Sequence, residues 1–197
     1  MTLLVKICGL SQVEHVDAAI DAGADALGFV FAKSVREVTP QQAARLTASV
    51  PSSVKRVAVM LHPSNEDWQQ VLKTFSPDVL QSDADDFSML DVPTSIERWP
   101  VYREGGIKPS ADIPYVFEGP KSGQGETVDW SQAARLAVRG NMILAGGLGA
   151  TNVAEAIATV RPYGVDVSSA VESAPGQKDS NLIRAFISAA RAAEKNL

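Results

Sequence analysis

The stretch NMILAGGLGATNVAEAIATVRPYGVDVSS, residues 141–169, holds one full cycle of the pattern that decides the fold. An apolar run, NMILAGG, ends in small residues. The segment after it places Val153, Ala156, Ile157 and Val160 at i, i+3, i+4 and i+7, the spacing of one helix face. A second apolar run, GVDVSS, closes the unit. Strand, helix and strand in this order form a parallel crossover, because parallel strands cannot be joined by a tight hairpin.

The same rhythm extends outward to both ends of the chain. Towards the N-terminus the strand candidates are LLVKIC (3–8), ALGFVF (26–31), KRVAVML (55–61), PDVLQS (77–82), RWPVYRE (98–104) and YVFEG (115–119). Between them lie helical patterns. Val13, Val16 and Ile20 share a face of the first, which ends at Ala22-Gly23. Thr39, Pro40 and Gln42 predict a capping box with proline at the first helical position. Trp68, Val71, Leu72 and Phe75 mark a third helix, a short one is expected over 85–91, and DWSQAARLAVRG gives another. Leu182, Ile183, Phe186, Ile187 and Ala190 stripe the last. No helix pattern of useful length fits 105–114. The strands read as nearly continuous apolar runs, as expected when both faces are buried.

Eight strands alternating with helices fit a (β/α)8 barrel or an open doubly wound sheet. A barrel of 197 residues would be compact beside the usual ~250, with its fifth helix reduced or absent. No linker or low-complexity segment divides the chain, so one domain over 1–197 is expected. With 45% hydrophobic and 21% charged residues, the composition is that of a folded soluble protein. Apolar runs of strand length exclude a membrane helix, and the start of the chain shows no signal-peptide pattern. A net charge of -5 argues against a broad nucleic-acid surface. A single cysteine, Cys8, cannot form an internal disulfide and suits a reducing cytoplasm. Two histidines and that cysteine, far apart, give no zinc spacing.

In a barrel the C-terminal ends of the strands build the active site. That makes a set of Cys8, Arg36, Gln81, Glu118, Asp129 and Asp166. It also selects the turns at Gly146-Gly147 and Ser168-Ser169, after the seventh and eighth strands, where glycine amides and serine hydroxyls can receive a phosphate. Each residue has a plainer reading. A lone cysteine is usually a core thiol, Asp129 begins a D-x-x-Q capping box, and Arg36 by composition is a solvated loop residue. Lys6 reads as an internal barrel charge with a polar partner, His15 as a helix-surface residue, and Tyr102 and Trp130 as packing groups. His62 tempts a general-base reading that no motif supports.

Five ordered motifs then resemble the phosphoribosylanthranilate isomerases of tryptophan biosynthesis. They are VKICGL, GFVFAKSVREV, GQGETVDW, ILAGGL and GVDVSSAVE followed by PGQKD, and the likeness runs from residue 3 to about 186. The resemblance implies a (β/α)8 barrel without metal or cofactor, catalysing an Amadori rearrangement. It implies Cys8 as general base and Asp129 as general acid, roles whose chemistry asks for a thiol pKa lowered towards neutrality and a raised carboxyl pKa, neither of which a sequence reveals. Arg36 would hold the anthranilate carboxylate, Gln81 and Asp166 would contact the substrate's polar groups, and Gly146, Gly147, Ser168 and Ser169 would grip its phosphate. Isomerases of histidine biosynthesis usually rely on paired aspartates at the ends of the first and fifth strands, which the cysteine here argues against. A noncatalytic phosphate-binding barrel is the alternative of another class. Three departures stand out: AKSVREV for a usual PKSPRYV, LQSDA for VQLHG (Asp83 for histidine), and SSAVE for SSGVE (Ala170 for glycine). The expected partner is a small phosphorylated molecule, with no nucleic acid and no membrane. The chain is expected to be a cytoplasmic monomer, a homodimer being the alternative.

Overall fold

The computed structural model describes residues 2–106, 113–119 and 128–196. Eight parallel strands pair in chain order and close on themselves. They are β1 (Leu4–Cys8), β2 (Ala26–Val30), β3 (Lys55–Val59), β4 (Val79–Asp83), β5 (Glu97–Arg103), β6 (Tyr115–Glu118), β7 (Met142–Leu144) and β8 (Gly164–Val167). Among the described residues, six helices surround them: α1 (Val13–Asp21), α2 (Pro40–Leu46), α3 (Asn65–Phe75), α4 (Trp130–Ala137), α5 (Val153–Val160) and α6 (Ser180–Glu194). The barrel reading therefore stands, and the open sheet does not.

Strand alternation divides the apolar residues into two cores. Leu4, Ala26, Val57, Val79, Trp99, Val116 and Ile143 fill the barrel interior. Their neighbours in sequence, among them Val5, Leu27, Ala58, Leu80, Phe117 and Val165, face the helices in a larger outer core. A strand buried on both faces must be apolar at every position, which is why these segments show no polar alternation. The exceptions are informative. Lys6, Gln81 and Asp166 share the interior parity and are buried, and Asp83, Arg103 and Glu118 follow the same parity at the strand ends.

The capping box at Thr39 forms as expected, with Gln42 returning its side chain to the Thr39 amide. The link from β4 to β5 is a 3-10 turn, Ala84–Ser88, instead of a helix over 85–91. Between β5 and β6 no helix is found among the described residues. The first helix is rotated from its expected face: His15, Val16, Ala18 and Ala19 are buried, whereas Val13 is exposed. His15 is thus a core residue, correcting the surface reading. The small side chains of Ala18 and Ala19 permit that rotation, and α1 packs against α6. Leu182, expected in the apolar stripe of α6, is left partly exposed. After β8 comes a hairpin that the sequence did not announce, β9 (Glu172–Ala174) against β10 (Gln177–Lys178). No helix among the described residues is long and apolar enough to cross a membrane.

Candidate active site

The C-terminal mouth of the barrel opens into a cavity of about 320 Å³. Cys8, Arg36, Gln81, Glu118, Asp166, Gly146, Gly147, Ser168 and Ser169 all line it, so nine of the ten sequence-derived site residues come together. Asp129 does not line it.

At the floor, the β1–β8 register sets Lys6 beside Asp166, and their side chains pair at 2.9 Å. Lys6 has no exposed side-chain surface and Asp166 only 8%. A charge so deeply buried persists only with a partner. Burial works against the Lys6 ammonium, but Asp166 and the neighbouring Cys8 outweigh it and leave its pKa above the ordinary value. Cys8 sits next to Lys6: a Cβ on Gly28 would lie 3.0 Å from the Cys8 Sγ and 3.2 Å from the Lys6 Cε, so a larger residue there would crowd both side chains. Burial pushes the Cys8 thiol up, and the opposing pull of Lys6 does not reverse it. The electrostatics of this pocket therefore run against the lowered thiol pKa that a base role asks for. Two buried acceptors at this level, Gln81 Oε1 and Asp166 Oδ1, have no hydrogen-bond partner among the described residues.

Above the floor, Gly146 and Gly147 turn the chain with φ of 86° and 62°. Asn152 fixes that turn, donating from Nδ2 to the Gly147 carbonyl and accepting the Gly149 amide at Oδ1. Across from it, Ser168 donates its hydroxyl to the Cys8 carbonyl, and Lys178 Nζ reaches the Ser168 carbonyl at 2.9 Å. A 3-10 turn, Ser169–Val171, comes directly after β8, and the Ala170 methyl would stand 3.3 Å from a Cβ on Gly149. The two turns thus approach each other closely, and the alanine is accommodated because its neighbour is glycine.

Arg36 crosses the first strand end. A Cβ on Gly9, which has φ of 79°, would meet the Arg36 Cδ at 2.6 Å, so the Cys8-Gly9 step clears a path for this side chain. Its guanidinium grips Glu172 through Nε at 2.6 Å and Nη2 at 2.9 Å. Burial would raise the Glu172 carboxyl, but Arg36 and Lys178 hold it down to about 2. Neither Glu172 nor Lys178 was singled out from the sequence, although both lie inside the quoted SSAVE and PGQKD motifs. Arg103 was also missed. It bridges Asp83 at 2.8 Å and Glu118 at 3.2 Å, so the aspartate standing in for the usual histidine serves as its counter-ion. His62 is mostly exposed and holds Asp86, apart from the cavity lining.

Asp129 caps α4, its Oδ1 accepting the amides of Ser131 and Gln132. The reciprocal Gln132 bond that would complete a capping box is not made. The GQGET part of the motif before it lies outside the described residues.

Residues 5–189 match the family model for N-(5'-phosphoribosyl)anthranilate (PRA) isomerase. The chain is 40% identical over 186 residues to the N-(5'-phosphoribosyl)anthranilate isomerase of Streptococcus mutans, covering 93% of this chain and 96% of the relative. Among solved structures, a phosphoribosyl anthranilate isomerase in complex with reduced 1-(o-carboxyphenylamino)-1-deoxyribulose 5-phosphate superposes with a TM-score of 0.79 at 29% identity, covering 97% of this chain and 100% of that one. Monomers generated from the dimeric enzyme of Thermotoga maritima match with a TM-score of 0.79 at 30% identity, with the same coverage. The chain belongs to the N-(5'-phosphoribosyl)anthranilate isomerase family.

Proposed function

We infer that this cavity isomerises N-(5-phosphoribosyl)anthranilate to 1-(2-carboxyphenylamino)-1-deoxyribulose 5-phosphate, in tryptophan biosynthesis. The observation that carries the reading is one buried thiol, Cys8, lying between a two-turn anion cradle and an arginine at the same barrel mouth. The substrate has the matching anatomy: a phosphate at one end, an aryl carboxylate at the other and the reacting sugar between.

The phosphate sits on the Gly146-Gly147 and Ser168-Ser169 turns, and the carboxylate meets Arg36. Sugar hydroxyls donate to Gln81 Oε1 and Asp166 Oδ1, buried acceptors without a partner among the described residues. Asp129, which caps α4 outside the cavity lining, is taken from the family likeness as the acid that protonates the furanose oxygen, and the ring opens to a Schiff base. Its Oδ1 is engaged in the helix cap, which leaves Oδ2 for this transfer. Cys8 removes the proton on C2', giving an enolamine. That species then loses its enol proton and gains one at C1 to become the aminoketone, so protons balance over the turnover. A buried thiol with a raised pKa is rarely ionised at neutral pH, but it is a strong base when it is. Lys6 is the cation placed to steady the thiolate.

The working unit is one domain acting as a cytoplasmic monomer on a small phosphorylated substrate. Purified protein should consume the fluorescent anthranilate substrate, and the gene should restore growth to a tryptophan auxotroph lacking this step. Folded protein that leaves the substrate's fluorescence constant would overturn the reading.

A further inference from the structure

Glu172 is filled on all sides. Its Oε1 accepts Arg36 Nε at 2.6 Å and Lys178 Nζ at 2.7 Å, and its Oε2 accepts Arg36 Nη2 at 2.9 Å and the Gly176 amide at 3.2 Å. A carboxylate has about four lone-pair sites, so no capacity remains for a ligand. Lys178 in turn bonds the carbonyl and hydroxyl of Ser168 in the phosphate turn. Two cations share one carboxylate, so the cluster keeps a net positive charge beside the cavity. Among the described residues, none accepts a hydrogen bond from the Nη1 group of Arg36.

We propose that Glu172 is a positioning residue: it fixes Arg36 across Gly9 so that only the free Nη1 edge meets the substrate's aryl carboxylate, and through Lys178 it ties that grip to the phosphate turn. The proposal rests on the reading of Arg36 as the carboxylate ligand. An arginine held in a bidentate fork has already lost its rotamer freedom, so binding the carboxylate need not immobilise it. The β9–β10 hairpin supplies this hold from a segment that touches neither reacting atom.

The test is a pair of substitutions read with two inhibitors. Glu172→Gln keeps the volume and one acceptor for Lys178 but weakens the fork to Arg36. It should raise KM about 3- to 10-fold, the worth of one freed side chain, with kcat nearly unchanged, as expected when uniform binding is lost. It should weaken the reduced product analogue that carries the carboxylate by the same factor, and leave its phenyl counterpart unaffected. Arg36→Met should cost about 10- to 150-fold in kcat/KM, a charge-assisted hydrogen bond's worth. Adding Glu172→Gln to it should cost little more, because residues acting through one contact are not additive. Equal weakening of both analogues, an unchanged KM, or a full additional loss in the Arg36→Met background would overturn the proposal. An Arg36→Met variant with wild-type KM would instead remove the carboxylate reading itself, and this inference with it. Should Glu172→Gln fail to fold, Glu172→Asp withdraws the carboxylate by one methylene while keeping its charge, and the same split between analogues is required of it.

Discussion

Replacing Lys6 by methionine tests the electrostatics of the barrel floor. The pair it breaks is fully enclosed on the lysine side and 2.9 Å long. Removing one member of a buried pair costs about 3–5 kcal/mol, because the other charge stays buried without compensation. Asp166 has a way to relieve that cost. Burial already pushes its carboxyl above 3.8, with Lys6 as the main opposing influence, so without Lys6 it should take up a proton. The sign follows. The folded variant holds that proton more tightly than the unfolded chain, so the loss is smallest in acid. It grows as pH rises from the unfolded carboxyl value through the raised folded one. Urea unfolding at pH 5 and pH 8 should show the variant losing more relative to wild type at pH 8. Adding Asp166→Leu should recover much of the stability, though not activity, since replacing both partners by apolar groups is often neutral. Cys8 would also lose the cation that draws its pKa down, so any remaining kcat/KM should rise only at higher pH than in wild type. A loss below about 1 kcal/mol, or one equal at both pH values, would refute this account of the floor.

Glu172, held down to about 2 from 4.5, contributes stability that is complete above pH 4.5 and lost as pH falls towards 2. Allowing for solvent at the cavity rim, this amounts to ~2 kcal/mol; an acid-unfolding curve for Glu172→Gln should be flatter by that amount, and equal slopes would count against it. Asp129→Asn should keep the α4 cap and lose turnover by roughly 10²–10⁴-fold, whereas Asp129→Ala should lose about 1 kcal/mol of stability as well. Near-normal turnover in the asparagine variant would leave Asp129 a cap alone. Crystals grown in phosphate or sulfate should carry an anion on the amides at Gly146-Gly147 and Ser168-Ser169, and an anion seated elsewhere with these turns empty would contradict the cradle.

Local chemistry was the legible part of this chain. The Thr39 cap, the Trp68 face of α3 and the strand runs follow from spacing within a few residues, and the structure bears them out. What escaped the sequence depends on pairing between distant segments. Lys6 meets Asp166 across 160 positions and Arg36 meets Glu172 across 136, and both pairings are fixed only when β8 closes against β1 and its hairpin folds over the β2 loop. Arg103 was overlooked for the same reason: its partners Asp83 and Glu118 come from the strands on either side. The misplacement of His15 was different in kind. Val13, Val16 and Ile20 satisfy the helical period, but a helix with two alanines beside them can turn its small-residue face inward and leave a valine outside. The Cys8 pKa depends on the balance of burial against one neighbouring ammonium, which only coordinates reveal.

The central claim is that the Cys8 sulfur is the base. Serine is close to isosteric with cysteine and far less acidic, so Cys8→Ser should fold, should still bind the reduced product analogue, and should lose turnover of N-(5-phosphoribosyl)anthranilate by roughly 10²–10⁴-fold or more. Steady-state turnover of the purified variant, with its unfolding curve as the control, is the most direct measurement. Turnover within a few-fold of wild type would make Cys8 a packing residue and leave the proposed rearrangement without its base.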